Sequence, residues 1–379
     1  MENNHLTYFK VENFKKFESL EVNDIGQFNL IVGDNNVGKT CLLEAFLLEF
    51  NAKKTLSTIR YTFFKRKIII DQSIEYLINK VDFNFNFNLI GLCQKTKENP
   101  IHITKTYKGI DKIEFLIENL KDFNPLKRDD TKNFIDEVNL FQYNNLNQLS
   151  KNWLVFKLKK ELDTDYKIIF LSDVTSSYYK DFYFYLDELP LIKIDDLYDN
   201  DLIHYYQQIV KNPKDEEKLI KLVQKIYPDI GINRFSIFDL FNKSDFLQIS
   251  TNARTDYHTI NEYGDGLIRI LRILFEILVN KNKYVIIDEI EIGIHYSKMK
   301  DFWINIFKVC KELDVQLFAT THSDECSEAF VEASETASCE NDIRLIKLEE
   351  SSDKEKIYSS TFKYNQISAG IESNVELRG

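Results

Sequence analysis

Residues 33–40 read Gly-Asp-Asn-Asn-Val-Gly-Lys-Thr and match G-x-x-x-x-G-K-[ST] at every fixed position. The flanks make this loop a strong constraint on the fold. Phe28-Asn29-Leu30-Ile31-Val32 before it is a short apolar run of strand type, and Cys41 to Leu48 after it is helix-compatible. Strand, glycine turn and helix in that order aim backbone N–H groups and the positive end of a helix at an anion. Gly33, Asn35, Asn36 and Gly38 of the loop, with Lys39, Thr40 and Cys41 at the helix start, are the candidate phosphate-binding residues. Lys39 is expected to neutralise β/γ-phosphate charge, and the Thr40 hydroxyl to take a Mg²⁺ position.

Three later stretches extend this reading. Tyr284-Val285-Ile286-Ile287-Asp288-Glu289 is a buried strand ending in two carboxylates. Asp288 is expected to orient Mg²⁺ through its waters and Glu289 to polarise an attacking water. Glu262-Tyr263-Gly264-Asp265-Gly266 precedes a long apolar helix, Leu267 to Val279, and makes a second anion-binding helix start. Val315 to Thr320 is another buried strand, ending at Thr321-His322-Ser323. A histidine just past the C-terminal end of a core strand sits where α/β sheets bind ligands. His322 could reach a γ-phosphate or the water beside Glu289.

Other classes are weaker. Asn242-Lys243-Ser244-Asp245 matches the guanine-reading N-K-x-D, but the D-x-x-G that a GTPase also needs occurs nowhere in the chain. A small-molecule kinase would leave Gly264–Gly266 and His322 unused. A nucleotide-gated scaffold with negligible turnover remains a different class of reading. The net charge of −11 does not indicate a general polyanion surface, so DNA is a possible partner that the charge does not point to. Five cysteines without a C-x-x-C pair read as those of a reduced, cytoplasmic protein. With no signal peptide and no apolar run of ~18 residues, no membrane association is expected.

Between the two halves of this constellation the pattern changes. Leu6 to Val11 and Phe17 to Val22 read as strands around a turn whose Phe14, Lys15 or Phe17 either flank a base or pack inward. Val81 to Phe87 alternates apolar and polar residues, as do His102 to Lys108, and Trp153 to Phe156 is a further strand. Tyr166 to Ser172 is expected to return into the core sheet. Asn212-Pro213 opens a helix whose face is Leu219, Leu222, Val223 and Ile226, stopped by Pro228. Ile343 to Leu348 and Lys356 to Tyr364 read as a strand pair before a last helix.

The ordered set GDNNVGKT, YGDG, VIIDEIEIGIHYS and FATTHS resembles an ABC-type ATPase head, and more narrowly the AAA ATPases related to the OLD (overcoming lysogenization defect) and SMC-like groups. VENFKKF resembles that class's N-terminal strand-turn-strand, and Ile367 to Arg378 resembles its closing stretch. The likeness spans roughly residues 1–50 and 260–379. It implies an α/β fold: a P-loop head with a core parallel sheet and an antiparallel β part, plus an inserted lateral region of strands and helices. Residues 1–50 and 261–379 would form the head, and 51–260 the insertion, with strands about 59–172, a helical hairpin about 200–228 and return strands about 234–250. The resemblance also implies ATP and Mg²⁺ as cofactors, with phosphate contacts at Gly38, Lys39 and Thr40. It assigns signature contacts to Gly264 and Gly266, catalysis to Glu289 and switch sensing to His322. A homodimer or higher homo-oligomer is implied, as is a role in bacterial anti-phage defence. Residues 324–379 leave no room for the Toprim nuclease that OLD proteins often carry, so a nuclease-type effector would be a separate chain from the same operon. Two departures stand out: the signature is Gly-Asp-Gly rather than Ser-Gly-Gly, and Ser172-Asp173 is the only candidate for the glutamine loop.

Overall fold

The structure, a computed structural model, describes residues 5–48, 99–121, 152–160, 163–170, 191–192, 199–239, 245–281, 283–354 and 356–373. The chain begins with β1 (Leu6–Phe14), β2 (Phe17–Val22), β3 (Phe28–Gly33) and α1 (Lys39–Phe46). Next come β4 (Ile101–Tyr107), β5 (Ile110–Lys121), β6 (Asn152–Lys160), β7 (Asp163–Phe170) and β8 (Leu191–Ile192). A helical pair, α2 (Asp199–Ile209) and α3 (Pro213–Ile226), leads to β9 (Ile232–Asp239), β10 (Asp245–Thr251) and β11 (His258–Thr259). The last third is α4 (Asp265–Val279), β12 (Tyr284–Ile287), α5 (Tyr296–Leu313), β13 (Gln316–Thr320), α6 (Asp324–Thr336), β14 (Ile343–Glu350), β15 (Ile357–Lys363) and α7 (Tyr364–Glu372).

Two six-stranded sheets carry the architecture. One has the order β15-β14-β3-β13-β12-β8 and is parallel except for β15 at its edge. The other, β2-β1-β4-β5-β6-β7, is antiparallel throughout. Strands β9, β10 and β11 form a small third sheet. The core parallel sheet with an antiparallel β part is the α/β head expected from the sequence.

The side-chain period of two divides the core. Phe28, Leu30 and Val32 of β3 face one apolar cluster with Val285, Ile287, Leu317 and Ala319, while Ile31, Ile286 and Phe318 face the other. The first cluster lies under α2 to α6, the second between the parallel sheet, α1 and the antiparallel sheet. Every residue from Leu267 to Leu278 in α4 is buried, so that helix is enclosed on all sides. Phe46 at the end of α1 is the pin between the two sheets: its ring lies 4.7 Å from Phe9 of β1 and 4.5 Å from Phe318 of β13. Lys105 Nζ and Tyr284 Oη donate to the Phe46 carbonyl at 2.7 and 3.2 Å, closing the helix end with a cation at its negative pole.

The helix face read from the sequence is the one found. Asn212 caps α3 by accepting from Lys214 N at 3.2 Å, Pro213 opens it, and Leu219, Leu222, Val223 and Ile226 are its buried residues. The expected last strand pair and helix are β14, β15 and α7. One expectation is corrected. The Tyr166–Ser172 strand does not return into the core sheet; β7 pairs with β6 at the edge of the antiparallel sheet, and β8 is the strand beside β12. A near-continuous hairpin closes a shorter loop than a crossover into the other sheet, and the two residues of β8 carry no readable period. Val81–Phe87, Ser172-Asp173, Asn242-Lys243-Ser244 and the stretch from Asn374 onward lie outside the described residues. Among the described residues no helix is long and apolar enough to cross a membrane.

Gln316, buried at the start of β13, ties the layers together. Its Oε1 accepts from Leu6 N at 2.8 Å, and its Nε2 donates to Leu6 O at 2.8 Å and Gly26 O at 2.7 Å. Gln316→Ala would strand these backbone groups without water. A loss of about 2–4 kcal/mol in urea unfolding is expected, and a loss below ~0.5 kcal/mol would show that they find other partners.

Candidate functional site

At the end of β3 the chain can turn only because Gly33 lacks a side chain. A Cβ there would fall 2.4 Å from the Leu348 carbonyl of β14. Asn36 and Gly38 then take φ of 64° and 113°, and Gly38 opens α1 against the Phe17 ring. Leu42 N makes the first intrahelical bond, to Gly38 O at 2.9 Å. The amides of Lys39, Thr40 and Cys41 precede it at the helix's positive end. Lys39 curls under the loop, donating to Gly33 O at 2.6 Å and Asp34 O at 2.9 Å. Burial pushes the Lys39 pKa down, while Asp288, Asp34, Glu289 and Glu291 pull the other way. Lys16 donates to the Asn36 carbonyl, and Lys15 pairs with the buried Glu44 of α1. Phe14 and Phe17 are core residues, and Phe17 meets the loop from its buried side.

The carboxylates of β12 meet the P-loop across β13. Asp288 Oδ1 accepts from Thr40 Oγ1 at 3.3 Å and from Thr320 Oγ1 at 2.7 Å. Thr320 Oγ1 in turn accepts from Glu289 N at 2.7 Å. Glu289 has φ 52°, a left-handed conformation unusual for a residue with a Cβ. Arg269, one turn into α4, holds it there through Nη2, which donates to Asp288 O at 2.6 Å and Glu289 O at 3.1 Å. Burial first, and then the neighbouring Asp288 and Glu291 charges, raise the Glu289 pKa above the usual carboxylate value.

His322 Nε2 lies 3.6 Å from Glu289 Oε1, and its backbone N donates to Glu291 Oε1 at 2.8 Å. The other oxygen of Glu291 is buried and has no hydrogen-bond partner among the described residues. Lys39, Thr40, Asp288, Glu289 and His322, chosen from the sequence, are thus brought together.

The two glycines of Gly264-Asp265-Gly266 differ. Gly264 is exposed, with φ 86° and nothing within 4 Å of a Cβ placed on it. Gly266 turns inward: its Cβ would fall 2.5 Å from Gly293 O and 2.9 Å from Tyr227 Oη. Gly266 therefore seats the start of α4 on the loop after Glu289, and Gly264-Asp265 forms the outward face of the turn. Among the described residues no hydrogen bond joins Gly264–Gly266 to the P-loop. His295 caps α5 by accepting from Ser297 N at 3.3 Å, beside the exposed Tyr296.

Sequence reasoning missed Arg269, Thr320 and Glu291. The signal for Arg269 was present, a charge inside an otherwise apolar helix, but its partners are carbonyls of a distant strand. Thr320 and Glu291 carry no motif of their own.

Residues 28–327 match the family described as "AAA domain, putative AbiEii toxin, Type IV TA system". The chain belongs to this family. It is accordingly an AAA-domain P-loop protein. It is similar to the "ATP/GTP phosphatase" of Helicobacter pylori, with 22% identity over 341 residues, 83% of this chain and 85% of that one. Among solved structures, the SMC head bound to the C-winged helix domain of ScpA aligns with TM-score 0.46 and 12% identity over 95% of this chain and 98% of the other. The SMC head domain from Thermotoga maritima aligns with TM-score 0.40 and 11% identity over 95% and 99% of the two chains.

Arg269 is 3% exposed. Arg269→Met keeps bulk and removes both bonds to the β12 turn. We expect a loss of about 2–4 kcal/mol in chemical unfolding, because two part-buried carbonyls and a strained φ lose their clamp. Unchanged stability would mean that Thr320 alone holds the turn.

Proposed function

We propose that this family member binds ATP with Mg²⁺ and hydrolyses it. The observation that carries the reading is the contact of Thr40 Oγ1 with Asp288 Oδ1 at 3.3 Å, with Glu289 next in sequence and 3.6 Å from His322. Two hard oxygen donors side by side at a P-loop fit Mg²⁺ better than any softer metal. When bound there, Mg²⁺ would neutralise phosphate charge. The loop amides and Lys39 hold the triphosphate. Glu289, with its raised proton affinity, accepts a proton from the attacking water, and His322 orients that water or senses the γ-phosphate.

Glu289→Gln should keep nucleotide binding and lose ~10²–10⁴-fold in turnover, the range expected for removal of a general base. Lys39→Ala should weaken binding itself. Nucleotide titration and steady-state ATPase assays on both variants check this, and equal loss of ATP affinity would contradict the assignments. Negligible turnover by the wild-type chain with intact binding would favour the nucleotide-gated scaffold.

The finer reading treats residues 1–50 and 261–379 as the head and 51–260 as its insertion, in a cytoplasmic homodimer or larger homo-oligomer. Gly264, Asp265, His295 and Tyr296 are all exposed, which suits a turn that completes the nucleotide site of a second copy. The nucleotide state would then set engagement with a separate nuclease-type effector in a defence system. Support for that role is the resemblance of the motifs and the toxin–antitoxin term in the family description.

Asp265→Tyr places a bulky ring on the exposed side of the turn without touching the Gly266–Gly293 contact. Alone, it should bind ATP without turnover. Mixed with Lys39→Ala, it should recover part of the ATPase activity through heterodimers with one intact site. Verified heterodimers with no recovery would exclude independently acting shared sites.

A further inference from the structure

The Gly264-Asp265 turn has a deficit of positive charge. Asp265 stands in the first turn of α4 and Glu262 two residues ahead of Gly264, and both are exposed. A helix start amounts to roughly +0.5 charge, which one carboxylate in its first turn already offsets. A phosphate brought to this turn therefore needs a further cation.

Between Lys243 and Arg269 the sequence holds a single Lys or Arg, Arg254. Arg269 is turned inward to the β12 carbonyls, and Lys298 of α5 is held at 2.9 Å by Asp229. Arg254 is placed differently. Thr251 at the end of β10 fixes its backbone: Arg254 N donates to Thr251 Oγ1 at 3.1 Å, and Thr251 N donates to Arg254 O at 2.8 Å. The side chain is 60% exposed, with Nη1 3.8 Å from Glu262 Oε2. Glu262 has closer partners, His258 Nδ1 at 3.0 Å and Thr259 Oγ1 at 3.3 Å. An exposed ion pair as long as that of Arg254 is weak, so the guanidinium can change partner at little cost.

We infer that Arg254 leaves Glu262 to bind the γ-phosphate of a triphosphate held in the P-loop of a second copy. This rests on the reading in which the Gly264-Asp265 turn completes that copy's nucleotide site. The guanidinium fork matches two phosphate oxygens at once. A cation delivered from a second chain acts on the charge that develops on the transferred phosphoryl group. The P-loop of its own chain is not the target: among the described residues the polar partners of Arg254 are Thr251 and Glu262.

The test uses full-length chains with different affinity tags, so that heterodimers can be isolated. Arg254→Ala alone should melt as wild type does, as expected of an exposed surface substitution. It should bind ATP within about twofold of wild type while turnover falls by ~10³-fold, the low end for a cation supplied by a second chain. Arg254→Lys keeps the charge without the planar fork and should fall between the two. Unchanged turnover in Arg254→Ala overturns the inference. Glu262→Gln breaks the ion pair and leaves Arg254 in place. A loss there as large as in Arg254→Ala also overturns the inference, because Arg254 would then act only by ordering its own turn.

Mixing the variants separates the two P-loops. Arg254→Ala with Lys39→Ala should recover part of the ATPase activity, since one site then combines an intact P-loop with Arg254 from the other chain. Arg254→Ala with Asp265→Tyr should recover none, since both chains carry their defect on the donated side. The reverse pattern would assign Arg254 to its own chain's nucleotide and overturn the inference. The Lys39→Ala and Asp265→Tyr pair tells the two failures apart. Recovery in that pair, with none in Arg254→Ala with Lys39→Ala, leaves the shared site standing and removes Arg254 from it. No recovery in either pair removes the independently acting shared site and the inference with it.

Discussion

At the end of β12 the chain leaves a buried parallel strand while keeping two carboxylates, Asp288 and Glu289, at the P-loop. A left-handed Glu289 costs on the order of 1–3 kcal/mol and persists only where its surroundings over-determine it. Here they do. Thr320 from β13 accepts from the Glu289 amide and donates to the Asp288 carboxylate, and Ile290 N donates to the Thr320 carbonyl at 3.0 Å. Arg269 from α4 holds the two carbonyls from the other side. The candidate site therefore depends on three elements that meet only in the finished fold.

Close backbone approaches supply the remaining precision. Gly33 lets β3 lie against β14 at the point where the loop departs, and Gly266 lets α4 sit on Gly293. The second contact fixes Arg269 one turn further along α4, within reach of the β12 turn. A bulkier residue at either glycine would move an anion-facing helix start away from the carboxylates. The outward exposure of Gly264-Asp265 follows from the inward engagement of Gly266.

Electrostatics at the site are arranged around scarcity of solvent. Lys39 and Arg269 are both buried, and three carboxylates, Asp288, Glu289 and Glu291, surround them. Burial first, and then the neighbouring carboxylates, raise the proton affinity of Glu289, while burial lowers that of Lys39. An anion brought to this place would meet the buried cations and the helix end as well as these carboxylates.

Local chemistry made part of this protein readable in advance. Gly33–Thr40 could be assigned because glycines, lysine and hydroxyl act within eight neighbouring residues, between a strand and a helix whose periods are short-range properties. The strand-end carboxylates, the face of α3 with its Asn212 cap, and the β14–β15–α7 close were legible for the same reason. The tertiary structure alone decided which strands share a sheet. It moved Tyr166–Phe170 to the antiparallel edge and gave β12 its neighbour Leu191–Ile192, because pairing depends on loop closure and long-range burial that no local pattern encodes. It also decided that Gly266 serves packing while Gly264 stays open, and that Arg269, Thr320 and Glu291 hold the catalytic candidates in place. Those roles arise from distances between residues far apart in the chain, and distance is what a sequence does not carry.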